Sequence, residues 1–348
     1  MRAKEFLPEY ADPATAKKEI IAAVSGLRAE NKEDAKLLDR IYVILNNEGL
    51  SNKIATAFAV PVSDDNFNLK PLLQKLTTII FNVDVDYKKI NDFLTKLESG
   101  NVVDVATLVK PGVSSVRDFF AGDETATKVF QAMAELGAGK KQKGPGEYAL
   151  AMLSNKIQLR TSEGDLDVEG FGKLEVKAET TSGGGRLGEG GPSNKVAAKY
   201  WSQLPSIEEH LKTSKGLGIG NFVRYIANDL PLSDPEKKQQ RQKLLTEWYG
   251  NLFSEPAPFV EAFMQDDPQQ AELLYGKANF NLYKKEYGWD GLLSINFPNL
   301  KAGMCVSGDD FVTLKQQGHY GSFSISVVPS TARPSEVFCQ LSMSKAKI

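Results

Sequence analysis

Residues 164–177 read GDLDVEGFGKLEVK and crowd Asp165, Asp167, Glu175 and Lys177 into sequence that otherwise suits two short strands. Side chains alternate along a strand, so Leu166, Val168, Leu174 and Val176 fall on one side and the four charged groups on the other. Glu175 and Lys177 are then about 7 Å apart on one face by strand rise. A reversal at Gly170 and Gly172 would bring Asp165 or Asp167 beside Glu175. Two converging carboxylates make an all-oxygen site suited to Mg²⁺ (or Mn²⁺), a cation that keeps several waters and takes further ligands from a phosphate. Lys177 next to such a phosphate would orient a water nucleophile and offset charge in the transition state. The competing reading of the same residues is a charged strand face in solvent.

The elements that must position these residues are a helix before them and a glycine-rich stretch after them. GPGEYALAMLSNKI reads as a helix with Glu147 near its start, where a carboxylate also complements the helix dipole. IQLRTS then reads as a strand. Upstream, residues 12–136 read as helical throughout: Leu37, Leu38, Ile41 and Leu45 form one stripe, and Ile90, Leu94 and Leu97 form another that closes at Gly100. A further helix, ETATKVFQAMAELGAG, would turn Glu124, Lys128 and Glu135 outward. An earlier one would start at Asp12 and Pro13. GAGKKQKGPGE, residues 137–147, breaks the composition and marks a boundary between a helical domain, 1–136, and a second domain, 137–348. From Trp289 onward the sequence favours strands: GLLSINF, MCVSG, FVTLK, FSISVVP and EVFCQLSMS.

The ordered set G-x-G-E at 144–147, G-D-L at 164–166, E-V-K at 175–177 and G-G-R at 184–186 resembles the PD-(D/E)XK nuclease superfamily, with GD standing where the family often has PD. The resemblance covers residues 144–205 and leaves the helical N-terminus unexplained. It implies a restriction-endonuclease-like mixed sheet flanked by helices, hence an α/β fold with a helical domain in front and β-rich C-terminal strands. It also implies that Asp165, Glu175, the Val176 carbonyl and Glu147 hold Mg²⁺, with Asp167 in reserve. Lys177 would position the water, and Arg186, Lys195 and Lys199 would touch the substrate. The implied activity is an endonuclease that hydrolyses DNA phosphodiester bonds and leaves a 5′ phosphate.

Other constellations speak less for chemistry. Gly183, Gly185 and Gly188 satisfy G-x-G-x-x-G, but Pro192 interrupts the helix that a dinucleotide site needs. Between 195 and 243 nine Lys/Arg stand against five acids, and Lys140, Lys141 and Lys143 add a second patch. Such charges fit phosphate contacts or solvated helix faces. Tyr200 and Trp201 could stack on a base, although core packing is the more ordinary role. His210 and His319 lack a serine or cysteine context in sequence, which argues against a triad hydrolase. Cys305 and Cys339 sit in apolar strands, where buried free thiols are expected.

Lys+Arg 42 against Asp+Glu 44 gives a net charge of −2, so nucleic-acid binding must rest on a local patch. The N-terminus lacks a secretion signal and no apolar run is long enough for a membrane span, so the expected location is cytoplasmic, or a virion for a phage protein. The alternatives to a nuclease are a structural or assembly protein that keeps a nuclease-like fold, and a non-catalytic nucleic-acid-binding module. The helical front end suits a protein partner, and symmetric cutting of two strands would require a homodimer.

Overall fold

The structure is a computed structural model that describes residues 32–57, 70–84, 86–135, 144–160, 163–179, 186–187, 217–218, 257–265, 267–329 and 337–345, with positions 235, 236, 239, 242 and 246. It is mixed α/β, with N-terminal helices followed by a six-stranded sheet with helices. Two compact units divide the chain: residues 1–110 with 114–176, and residues 111–113 with 177–348. The composition break at 137–143 lies outside the described residues, as does the helix expected from Asp12.

In the first unit α1 (Lys32–Leu45) buries Leu37, Leu38, Ile41 and Leu45, the stripe expected of it. The helices α2 (Glu48–Ala57) and α3 (Lys70–Asn82) follow. The next, α4 (Tyr87–Ser99), begins where the Asp86 carboxylate accepts from the Lys88 amide and ends at Gly100, whose φ of 70° a side chain would resist. A Cβ there would also stand 2.0 Å from Asn155 Nδ2. Ile90, Phe93, Leu94 and Leu97 are buried, each contributing roughly 1.5–3 kcal/mol.

Among the described residues, the helical expectation for 12–136 fails after residue 108. After the short α5 (Val105–Leu108), Pro111 and Gly112 stop helical winding, and Gly112 takes a φ of 119°. The chain instead forms β1 (Gly112–Ser115) and a 3₁₀ turn, Val116–Phe120, closed by a reciprocal Ser115 and Asp118 cap. Helical structure resumes in α6 (Glu124–Glu135), where Lys128 pairs with Glu124 at 3.7 Å on the exposed side.

The helix α7 (Pro145–Leu153) packs on α6, and β2 (Ile157–Leu159) follows it. Lys53 of α2 donates to the Ala151 and Ser154 carbonyls at 3.1 and 2.7 Å, satisfying orphan groups at the end of α7. Burial lowers the Lys53 pKa. Then β3 (Leu166–Val168) and β4 (Gly172–Glu179) form an antiparallel hairpin, with β2 on the outer side of β3. The reversal uses Gly170 and Gly172 at φ 78° and 116°, as the sequence suggests.

In the second unit Asp267 caps α9 (Pro268–Tyr287), which follows α8 (Ala257–Met264) and closes at Gly288. β7 (Gly291–Asn296) is buried along its length and pairs antiparallel with β8 (Lys301–Cys305), placing Ser294 opposite Gly303. FVTLK, read above as a strand, is helical instead: it lies in α10 (Gly308–Gln316). Ser307 and Asp310 cap that helix reciprocally, and Phe311 and Leu314, three residues apart, are buried on one side, so cap and spacing outweigh the β-propensity of Val312 and Thr313.

Phe311 stacks between Phe280 and Phe323, with ring centroids at 5.3 and 5.1 Å. Gly276 permits this packing, because a Cβ there would come 2.6 Å from the Phe323 ring. The last strands, β9 (Tyr320–Pro329) and β10 (Val337–Lys345), do not extend the sheet that holds β7 and β8. They form a second, four-stranded sheet in the order β5-β10-β9-β6, where β5 is Arg186–Leu187 and β6 is Leu217–Gly218.

Candidate functional site

The β3–β4 hairpin fixes which charged groups share a face. Leu166 stands opposite Leu174 in antiparallel register, so Asp165, just before Leu166, and Glu175, just after Leu174, share the other face. The Asp165 amide donates to the Leu174 carbonyl at 2.9 Å. The Val176 amide donates to Asp165 Oδ2, also at 2.9 Å. A carboxylate therefore takes the place of the next main-chain acceptor, and Asp165 is held against β4 at the Glu175–Val176 step. Glu175 is 6% exposed and Val176 is buried beside it.

Asp167 shares that parity but has a different neighbourhood. It stands opposite Lys173 and is gripped by Arg160 Nη1 at 2.7 Å, with its side chain 49% exposed. Lys173 in turn pairs with Glu163 and holds that carboxyl below the usual range. The two aspartates, equivalent in the alternation pattern, are thus distinguished by Arg160, whose place on the same side of the hairpin could be read from its parity with Gln158. Glu169 is exposed at the turn.

Glu147 is 5% exposed, and its Oε1 accepts from the Gly144 amide at 2.8 Å. The helix-terminal role foreseen for it is therefore present, as the carboxylate half of a capping box. Lys177 is half-buried, with Nζ 6.0 Å from the centre of the Tyr283 ring, at the outer limit of a cation–π contact. Tyr283 gave no sign in the sequence, because α9 lies a hundred residues downstream of β4.

Arg186 lies in β5, opposite Ser342 of β10, and therefore belongs to the four-stranded sheet rather than to a loop following β4. Lys195, Lys199, Tyr200, Trp201, His210 and Lys140, Lys141 and Lys143 lie outside the described residues. So does nearly all of the basic stretch 195–243.

The donors Asp165, Glu175 and the Val176 carbonyl are all oxygen, the chemistry that a hard divalent cation takes. Among the described residues no group of three or more His, Cys, Asp or Glu side chains gathers to hold a metal ion. The three-carboxylate arrangement with Glu147 is thus not assembled among them.

A second polar cluster was not foreseen. His319 was expected to lack a serine, yet its Nε2 lies 2.8 Å from Ser294 Oγ, which is 2.9 Å from the Tyr320 hydroxyl. Ser294 comes from β7 and His319 from the turn just before β9, so no local motif announces the pair. Gly303 makes room for it: a Cβ there would be 2.5 Å from the imidazole. Burial, then the Lys301 charge, lowers the His319 pKa to about 4. Ser294 is 3% exposed, which leaves a substrate no approach to its hydroxyl. Cys305 is buried and free, and burial pushes its thiol up to about 12. Cys339 stands opposite Val327 in the β9–β10 ladder.

Comparison with family models, with curated proteins and with solved structures finds no match to this chain. No described helix is long and apolar enough to cross a membrane.

Proposed function

We propose that the chain is a metal-dependent nuclease that hydrolyses DNA phosphodiester bonds, built on a hairpin that resembles the PD-(D/E)XK core. The observation that carries this reading is the Val176 amide to Asp165 Oδ2 hydrogen bond, which holds one carboxylate at the strand position that bears the other. Asp165, Glu175 and the Val176 carbonyl would hold Mg²⁺ or Mn²⁺, and Glu147 would act from the helix start through water. Such an ion would supply Lewis-acid polarisation of a phosphate oxygen. Lys177, the next β4 residue of the same parity, would orient the attacking water and offset developing charge.

Purified protein incubated with plasmid in Mg²⁺ or Mn²⁺ should nick or linearise it, and EDTA should stop the reaction. Lys177→Ala should slow cleavage by about 10²-fold or more, on the scale of removing one transition-state donor. A parent protein inert with both cations would sink the enzyme reading.

A second reading draws on specific contacts. Asp165 satisfies a β4 amide, Glu147 caps α7, and Asp167 is tied to Arg160, so each acid has a structural task. A structural or assembly protein that retains the hairpin without turnover would show the same contacts, and DNA bound without cleavage would instead mark a nucleic-acid-binding module.

A further inference from the structure

Lys177 projects from β4, and its ammonium lies over the Tyr283 ring of α9, 6.0 Å from the ring centre. Both residues belong to the second compact unit. A lysine is a point charge on a flexible four-carbon stem, so it serves one reacting atom well only if something restricts that stem.

Tyr283 is itself held in place. It is buried on the face of α9 that also carries Tyr287 one turn later, and the two rings meet in a T-shaped arrangement with centroids 4.5 Å apart. Gly288 then takes a φ of 61° and ends the helix, and Trp289 folds back on the element it has just left. The buried Trp289 indole meets Tyr283 at 5.7 Å and Phe280 at 5.1 Å, both in edge contacts. A ring pinned by Tyr287 and Trp289 keeps its negative π-face in one direction, and the ammonium of Lys177 lies over that face.

We propose that Tyr283 is a positioning residue for Lys177: its fixed ring confines the ammonium to the place from which it would orient the attacking water. The proposal rests on the nuclease reading, in which Lys177 acts on that water, and it adds a member from α9 to a site otherwise built on the β3–β4 hairpin. A residue that acts through Lys177 alone affects the transition state and not substrate binding, so its removal should lower kcat and leave KM unchanged.

Plasmid nicking by the full-length protein in Mg²⁺ or Mn²⁺, with kcat and KM determined separately, is the test. Tyr283→Phe keeps the ring and should retain most of the parent's kcat. Tyr283→Leu removes it and should lower kcat about fivefold, the scale of one cation–π contact. Lys177→Ala combined with Tyr283→Leu should be no slower than Lys177→Ala alone, since the ring then has nothing left to position. Because Tyr283 is buried and a leucine there could disturb folding, a second series places phenylalanines of increasing fluorination at 283. Fluorine weakens the π-face while the ring keeps nearly its size, so kcat should fall stepwise while the melting temperature holds, a response that a purely structural tyrosine would not give. Parent-like kcat across the fluorinated series, or a double variant slower than Lys177→Ala by the full factor of Tyr283→Leu, overturns the positioning role and leaves the nuclease reading standing. A parent inert with both cations overturns the nuclease reading and this role with it.

Discussion

Asp165 joins a structural hydrogen bond to a proposed chemical role, and two substitutions pull these apart. Asp165→Asn keeps an oxygen that can accept from Val176 but removes the charge, so the melting temperature should stay near the parent's while plasmid cleavage is lost. Asp165→Ala removes both and should also cost about 1 kcal/mol in urea unfolding, the worth of one intramolecular hydrogen bond. His319 gives a pH signature. Its folded pKa of about 4 lies below the ordinary 6.5, so between these values the unfolded chain binds more protons than the folded one. The stability it contributes is complete above about pH 6.5 and is lost as pH falls toward 4. Over that window the loss is on the order of 3 kcal/mol. Urea unfolding at pH 7 and pH 4.5 should show a larger drop for the parent than for His319→Gln, and equal drops would refute the assignment. At this scale the sequence revealed parity and little else. It put Asp165 and Asp167 on one face, but the Val176 amide on the one and Arg160 on the other separate them, and only the fold brings Ser294 to His319.

Elements with strong local signals were legible, and those that depend on a distant partner were not. Asp86 and Gly100 delimit α4 because cap chemistry is local, and the Gly170–Gly172 reversal follows from positive φ in the same way. FVTLK misleads because its β-branched pair speaks louder than the Ser307–Asp310 box just before it. That box makes a test: Ser307→Ala should lower stability by about 1 kcal/mol and loosen α10, measurable by urea unfolding and by faster amide exchange at Asp310. Unchanged stability and exchange would show that packing of Phe311 and Leu314 alone holds the helix. In the first unit, Lys53→Met should leave the carbonyls at the end of α7 to find water and destabilise by roughly 1–3 kcal/mol, again read in urea.

For the molecule as a whole, a net charge of −2 gives no long-range attraction to nucleic acid, so the proposed binding to DNA would have to come from local sites. Its dependence on salt should then be shallow. A plot of log affinity against log salt concentration, measured by fluorescence anisotropy, should have a slope corresponding to only a few neutralised phosphates. A steep slope would point to an extended basic track. The large-scale plan of helices first and sheet later was legible from composition. The splitting of the C-terminal strands between two sheets was not, since Arg186 pairs with a residue near the other end of the chain and nothing local encodes that.

That pairing also sets an order of events during synthesis. β10 is an inner strand flanked by β9 and β5, so Arg186 and Leu187 leave the ribosome long before the segment that will pair with them exists. Until residue 345 has emerged, β9 presents a bare edge. A nascent chain stalled short of that point would meet chaperones or neighbouring chains with its second sheet still open.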